Sequence, residues 1–169
     1  MICVTVHLAA WRRSNLPDIL TRAGLLPALH PRDGQAIERS RIYIAPPDRH
    51  LMIDDGHLQL WRGPKENRQR PAVNALFRSA AVTYGSRVVG VVLSGSLEDG
   101  AAGLWWIKRY GGVAVVQDPE DAMFPSMPRQ ALSTVVVDHC VGVADLPPLL
   151  VRLVNGREEE TRAEVRADR

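Results

Sequence analysis

The chain has 169 residues, of which 46% are hydrophobic and 24% are charged, and this composition excludes a wholly disordered or fibrous protein. The formal net charge is only +2 and the charges are scattered along the chain, so a nucleic-acid-binding surface is not expected. The apolar stretches are shorter than the roughly 20 residues of a membrane span, and no basic segment precedes the apolar N-terminus. We therefore predict a cytoplasmic protein with no membrane insertion.

The first half of the chain predicts a strand, a helix and a hairpin. Residues 2–8 (ICVTVHL) form a β-branched run without polar alternation, which is typical of a strand buried on both faces of a parallel sheet. Apolar residues at helical spacing predict a helix over residues 16–24. Residues 41–62 contain three extended runs, and Asp55-Gly56 between the last two predicts a hairpin turn.

The second half alternates helices and strands. Pro71 suits the first turn of a helix that ends at Gly85, and residues 87–118 read as strand, helix and strand, the pattern of a parallel crossover. A further helix, a strand and an amphipathic helix complete a domain over residues 1–155. The charged tail, residues 156–169, is expected to fray or to extend the last helix without packing. The predicted class is α/β.

The two cysteines, Cys3 and Cys140, lie in apolar runs that resemble strands. Because no secretory signal precedes them, we expect both to be reduced core residues. A disulfide between them is the less favoured alternative.

Two side chains are candidates for proton transfer. His7 ends the first predicted strand, and Asp99 lies in a turn at the carboxyl end of a later one, where parallel sheets bind ligands. An imidazole can take a proton from a nucleophile near neutral pH while a carboxylate fixes its tautomer. Each residue also has an ordinary structural interpretation: Asp99 as the N-cap of the next helix, and His7 as a hydrogen-bonded histidine at a strand end.

The other polar clusters are weaker candidates for a nucleophile, a metal site or a nucleotide-binding loop. Ser94 and Ser96 lie at the same rim but outside any G-x-S-x-G elbow, so each is interpreted as a turn residue whose hydroxyl bonds its own backbone. His50 and His57 fall on different strands of the hairpin, which disfavours a metal site there. The turn SGSLEDGAAG lacks the glycine and lysine patterns of nucleotide-binding loops. We predict no cofactor and no metal.

Five segments, read together, resemble a known family. They are IYIAPPDRHLMI, GPKENRQRPAVNALFRSAA, VVGVVLSGSLEDGAAGL, IKRYGGVAVVQDPEDAMFPSMPRQAL and DLPPLLVRL. In content and order they resemble the catalytic domain of the chemotaxis protein-glutamate methylesterases, the CheB family, from about His7 to Leu153. The resemblance implies a doubly wound, mostly parallel α/β sheet flanked by helices with a β-hairpin insert. It also implies hydrolysis of glutamate methyl esters, and of some glutamine amides, on chemoreceptors by a Ser-His-Asp triad.

The resemblance assigns roles to individual positions. The family's histidine matches His7, and its aspartate in the turn S-G-x-x-x-D-G matches Asp99. A backbone amide at Ser96 is implied as part of the oxyanion hole, a role that needs only an N–H group. The segment Phe124–Pro128 would border the site. Asn74 stands where many members have an aspartate.

One departure from the family pattern concerns the nucleophile. Family members begin this domain with a strand, a G-A-S-x-G-G turn that carries the serine, and a helix, and none of these precedes Met1 in this sequence. We therefore expect this chain to keep only the histidine and aspartate of the triad. The missing strand would leave two inner strand edges unpaired, through which copies of the chain could form a homo-oligomer. The alternative function is a non-catalytic binding module that docks receptor segments or a partner chain.

Overall fold

The structure is a computed structural model that describes residues 1–167, and from residue 157 onward only the backbone is described. A 3-10 turn (Gly85–Arg87) follows the second helix. In chain order the other elements are β1 (Ile2–Val4), α1 (Leu16–Ala23), β2 (Ala28–Leu29), β3 (Gln35–Ala36), β4 (Ile42–Ile44), β5 (His50–Asp54), β6 (His57–Trp61), α2 (Val73–Tyr84), β7 (Val89–Val92), α3 (Ala101–Arg109), β8 (Val113–Gln117), α4 (Ser126–Thr134), β9 (His139–Val141) and α5 (Leu146–Ala167).

The described strands form two parallel sheets and one antiparallel sheet. The parallel sheets have the orders β1-β4-β2 and β7-β8-β9, and the antiparallel sheet has the order β3-β6-β5. Parallel strands joined by helices, with a hairpin inserted, confirm the predicted α/β class. Among the described residues, β1 pairs only with β4 and β7 pairs only with β8, so each of these two strands has one unpaired edge.

Helix α2 joins the two parallel sheets through its apolar face. Leu76 and Ala80 pack in a cluster with β4 and the hairpin, whereas Val73 and Ala81 pack in a second cluster with β7, β8 and α3. The side chain of Phe77 touches both clusters. Because one helix supplies both clusters, its position fixes how the two sheets lie relative to each other.

Helices cover both faces of the sheet β7-β8-β9, as expected for a doubly wound fold. Val116 and Ala114 of β8 pack on one face with α3 and α4, and Val115 packs on the other face with Leu146 and Leu149 of α5. The alternation of side chains along β8 explains why this strand reads as a continuous apolar run in the sequence. The predicted charged tail starts within α5, and its side chains from residue 157 lie outside the described residues.

The hairpin β5–β6 matches its sequence signal. Asp55 and Gly56 both have positive φ, 39° and 75°, as a two-residue turn of the favoured hand requires. The hairpin is held against α2 by polar as well as apolar contacts. The amide of Ile53 donates to Oγ of Ser79 (3.0 Å), and Oγ1 of Thr83 donates to the carbonyl of Ile53 (3.1 Å).

Two predicted elements differ in the structure. The strand predicted over residues 2–8 pairs only at Ile2–Val4, and Ile2 is 49% exposed, so the expectation of burial on both faces is wrong. The physical reason is that β1 has a neighbour on one side alone. Pro71 precedes α2 and lies outside its first turn, since Ala72 is the N-cap residue.

Candidate active site

The site lies where β1 and β7 reach the same edge of the fold. His7 follows β1 by three residues, and Asp99 lies in the turn between β7 and α3. Nε2 of His7 is 2.7 Å from Oδ2 of Asp99, although the two residues are 92 positions apart in the chain. The histidine side chain is 22% exposed and the aspartate side chain is completely buried. The two side chains that the sequence singled out are therefore in direct contact.

The Asp99 carboxylate is surrounded by hydrogen-bond donors. Besides the bond to His7, Oδ2 accepts from the backbone N–H of Val73 at 2.6 Å. Oδ1 accepts from the N–H of Asn74 at 3.1 Å and lies 3.5 Å from Nδ2 of Asn67. Val73 and Asn74 begin α2, so the carboxylate sits at the positive end of a helix. Sequence reasoning missed Asn67, because nothing local links its loop to Asp99.

These contacts decide the charge of Asp99. Burial by itself raises the pKa of the Asp99 carboxyl, but the hydrogen bonds from His7, Val73 and Asn74 together with the charge of His7 outweigh it, and the pKa is lowered below its usual value. Asp99 is therefore ionised at neutral pH. An ionised carboxylate on one ring nitrogen stabilises an imidazolium and fixes the ring orientation.

The N-cap interpretation of Asp99 is wrong for the helix that follows it. Gly100 is the N-cap residue of α3, and no side chain caps that helix from this position. Asp99 instead accepts from the first two N–H groups of α2, a helix that precedes it in the chain. The Asp99 carboxylate thus both caps α2 and contacts His7.

Asn74 performs the reciprocal role for α3. Its Oδ1 accepts from the backbone N–H of Gly100 at 3.0 Å and of Gly103 at 2.7 Å. Gly103 also lies close against α2, because a Cβ there would lie 2.7 Å from Cβ of Phe77. Asn74 of α2 thus accepts from N–H groups at the start of α3, and Asp99, which directly precedes the N-cap residue of α3, accepts from the first N–H groups of α2. A neutral amide beside the ionised Asp99 meets this need without a second negative charge.

We predict that Asn74→Ala destabilises the protein. The substitution leaves the N–H groups of Gly100 and Gly103 without an acceptor, which should lower the free energy of unfolding by about 1–3 kcal/mol. Denaturant unfolding followed by circular dichroism measures the change. Asn155→Ala, at an exposed position of α5, is the matched control. An equal effect of the two substitutions would contradict the reciprocal capping.

The turn after β7 is held by the segment that begins α4. The N–H of Gly95 donates to the carbonyl of Phe124 at 2.9 Å, and the N–H of Met127 donates to the carbonyl of Gly95 at 3.0 Å. Oγ of Ser126 donates to the carbonyl of Leu97 at 2.8 Å. Ser96 lies between these anchored residues and is exposed, and its N–H makes no hydrogen bond to another described residue.

Ser94 and His50 make hydrogen bonds that hold the fold together. Oγ of Ser94 accepts from the N–H of Phe124 at 2.9 Å, so the expectation that it bonds its own backbone is wrong. His50 is buried, with Nε2 2.9 Å from the carbonyl of Pro64 and Nδ1 accepting from the N–H of Ala72. In residues 1–156, no group of three or more His, Cys, Asp or Glu side chains is placed to bind a metal.

One ring nitrogen of His7, Nδ1, is available for proton transfer. Since Nε2 faces the carboxylate, Nδ1 is the nitrogen that can accept a proton, and it has no hydrogen-bond partner among the described residues. A base of this kind activates a hydroxyl or a water molecule. The geometry therefore fits an acyl-transfer site in which the hydroxyl approaches Nδ1.

The chain is similar to proteins of one known family. The family model of the CheB methylesterases matches residues 1–150. A protein of Leptospira interrogans is 32% identical over 160 residues, which cover 94% of this chain and 83% of the relative. A protein-glutamate methylesterase/protein-glutamine glutaminase of Anaeromyxobacter dehalogenans is 36% identical over 152 residues, covering 90% of this chain but 45% of that longer protein.

A solved structure gives the same result for the fold. The CheB methylesterase catalytic domain of Thermotoga maritima matches with a TM-score of 0.85 and 29% identity, covering 90% of this chain and 83% of that one. Within the part of the chain that is described, no helix is both long enough and apolar enough to cross a bilayer. From the family model, the relatives and the shared fold together, the chain belongs to the CheB methylesterase family, whose named members are hydrolases.

Proposed function

We propose that this chain is the catalytic domain of a protein-glutamate methylesterase that acts on chemoreceptor side chains, with His7 as the general base and Asp99 as the group that orients it. The observation that carries the proposal is the 2.7 Å contact between a partly exposed imidazole and a fully buried carboxylate. A glutamyl methyl ester, or a glutamine amide, is the substrate class.

The reaction follows acyl-transfer chemistry. A serine hydroxyl near Nδ1 of His7 loses its proton to the ring and attacks the side-chain carbonyl carbon. The N–H of Ser96 donates to the oxygen that becomes negative. His7 then protonates the methoxy oxygen of the tetrahedral adduct, the bond from carbon to this oxygen breaks, and methanol departs to leave the acyl-enzyme. Water, activated by the same nitrogen, hydrolyses the acyl-enzyme to the carboxylic acid and restores the serine.

The serine is proposed to come from a strand that lies between β1 and β7. The N–H of Ile2 donates to the carbonyl of Arg41 in the direction of β4, so the peptide groups of Cys3 point to the opposite, unpaired side. Thr5 follows β1 directly, and its Oγ1 is buried without a partner among the described residues. A parallel strand in this gap would end at the rim that carries His7.

The proposed partner and compartment follow from the substrate. The methylated segment of a chemoreceptor is the partner, and the cytoplasm is the proposed compartment. Cys3 and Cys140 are free thiols in the structure, which suits a reducing environment. Cys140 is exposed on the edge strand β9, so the expectation that it is a core residue is wrong.

A reconstitution experiment tests the function. A strand, a G-A-S-x-G-G turn and a helix from a family member are fused ahead of Met1, and methanol release from a peptide with a glutamyl methyl ester is measured. We expect activity that disappears when the added serine is replaced by alanine. No activity above that alanine control, in a fusion that is folded by circular dichroism, would overturn the catalytic assignment. Binding of the peptide without turnover would favour the binding module instead.

A further inference from the structure

We propose that Gln117 is a positioning residue: its side-chain amide fixes the backbone of Ser94 and thereby directs the N–H of Ser96 towards the reacting carbonyl. The inference rests on the proposed function for the role of Ser96. The conformation of the turn of residues 94–97 can be measured without an activity assay.

Gln117 lies at the carboxyl end of β8 and is 6% exposed. Its Oε1 accepts from the backbone N–H of Ser94 at 2.8 Å, and its Nε2 donates to Oδ2 of Asp121 at 2.8 Å. The amide therefore connects the turn after β7 to the loop after β8. The contact with Ser94 is not local in sequence, since Ser94 lies 23 positions before Gln117.

Asp121 accepts hydrogen bonds from Gln117 and from Val143. Hydrogen bonds from Gln117 and from the N–H of Val143 lower the pKa of the Asp121 carboxyl and outweigh the effect of burial, so the group is ionised at neutral pH. An ionised carboxylate accepts hydrogen bonds and donates none. The backbone N–H of Ser94 can only donate, so it faces Oε1 of Gln117, and the amide nitrogen then faces Asp121. The orientation of the amide is fixed by its neighbours.

The turn is held from a second side as well. Gly95 exchanges backbone hydrogen bonds with Phe124 and Met127, and Oγ of Ser94 accepts from the N–H of Phe124. Gln117 holds the turn from β8, and the residues at the start of α4 hold it from a second side. The N–H of Ser96 takes part in none of these bonds, so it is held in place while remaining free to donate to a ligand. Preorganised donors of this kind stabilise a developing oxyanion without rearrangement.

A Gln117→Glu substitution distinguishes a role of the side chain in positioning the turn by hydrogen bonds from a role in filling space. The introduced carboxylate, when ionised, still accepts from the N–H of Ser94 but meets the Asp121 carboxylate, and Asp118 adds a nearby negative charge. Like charges raise the pKa of the introduced carboxyl. When it is protonated, the carboxylic acid again has one donor and one acceptor, as the amide does. The variant should therefore regain the native turn as the pH falls.

The first measurement uses this chain alone. Amide ¹H–¹⁵N chemical shifts of Gly95 and Ser96 are recorded from pH 8 to pH 5 for the wild type, Gln117→Glu, Gln117→Leu and the control Gln130→Glu on α4. We expect both signals to move in Gln117→Glu at pH 8 and to return towards wild-type positions at low pH. In Gln117→Leu they should stay displaced throughout. Unmoved Gly95 and Ser96 signals in folded Gln117→Leu, or no recovery in Gln117→Glu, would overturn the positioning role.

The second measurement uses the serine-supplied fusion. We expect Gln117→Glu at pH 8 to lower kcat by about 10- to 100-fold, up to the loss caused by removing one oxyanion donor, with little change in KM. The ratio to wild type should recover as the pH falls. A displaced turn with an unchanged kcat would overturn the link to the oxyanion while leaving the hydrolase assignment intact. An inactive parent fusion would instead overturn the proposed function, and the spectra would still decide the role of Gln117.

Discussion

Replacing Asp99 by asparagine is expected to lower the free energy of unfolding by about 3 kcal/mol, because it removes a buried charge that accepts from His7, Val73 and Asn74. The amide NH₂ that replaces one carboxylate oxygen must face at least one of these donors. Thermal unfolding should shift down by about 6–12 °C for a chain of this size. Denaturant titration and calorimetry measure the two quantities.

The pH dependence of this effect has a definite sign. The pKa of Asp99 is lower in the folded protein than its usual value, so its contribution to stability is complete above about pH 4 and is lost as the pH falls through the lower folded value. The difference between wild type and Asp99→Asn should therefore shrink in acid. Glu98→Gln, at the exposed neighbouring position, is the control. A difference that is constant from pH 7 to pH 2, or an Asp99→Asn protein as stable as Glu98→Gln, would contradict the assigned contacts.

The largest expected effect on activity is that of His7→Gln in the serine-supplied fusion. Removal of the general base from a triad lowers kcat by a factor on the order of 10⁴ to 10⁶, because the hydroxyl keeps its proton and the oxyanion donors act alone. Glutamine is similar in size and cannot exchange protons at neutral pH. Initial rates of methanol release under saturating ester measure the change.

His57→Gln is the matched control for that experiment. His57 is exposed on the hairpin, and its Nδ1 lies 2.8 Å from the carbonyl of Asp55, so the same substitution there should leave kcat within a factor of about two. Equal losses in the two variants would show that the fusion responds to general perturbation. A fully active His7→Gln fusion would exclude His7 as the base.

The fold was predictable where the signal is local. The Asp55-Gly56 turn, the strand–helix–strand unit and the long apolar run of β8 each follow from residues adjacent in the chain, and the structure has all three. The extent of β1 was not predictable in this way. A strand ends where its partner ends, and β4 pairs only at Ile42–Ile44.

The contact between His7 and Asp99 was predictable from the sequence, whereas the hydrogen bonds that support it were not. His7 and Asp99 follow strands whose carboxyl ends share a rim, so their approach could be expected from the sequence. The capping of α2 by Asp99 joins positions 26 residues apart, and the bond from Ser94 to Gln117 joins positions 23 apart. Such bonds depend on how helices and strands pack, which no local pattern encodes.

The open edges of β1 and β7 bear on how this chain behaves at high concentration. The two edges belong to different strands, so pairing of β1 of one copy with β7 of the next is a head-to-tail contact that leaves an open edge at each end of the pair. When further copies add in the same way, they form a closed ring only if the rotation between neighbouring copies returns to the first one. Otherwise the copies form a linear filament. On the proposed function, a strand that pairs with both edges would stop this growth at the monomer, so the segment that supplies the serine would also prevent self-association.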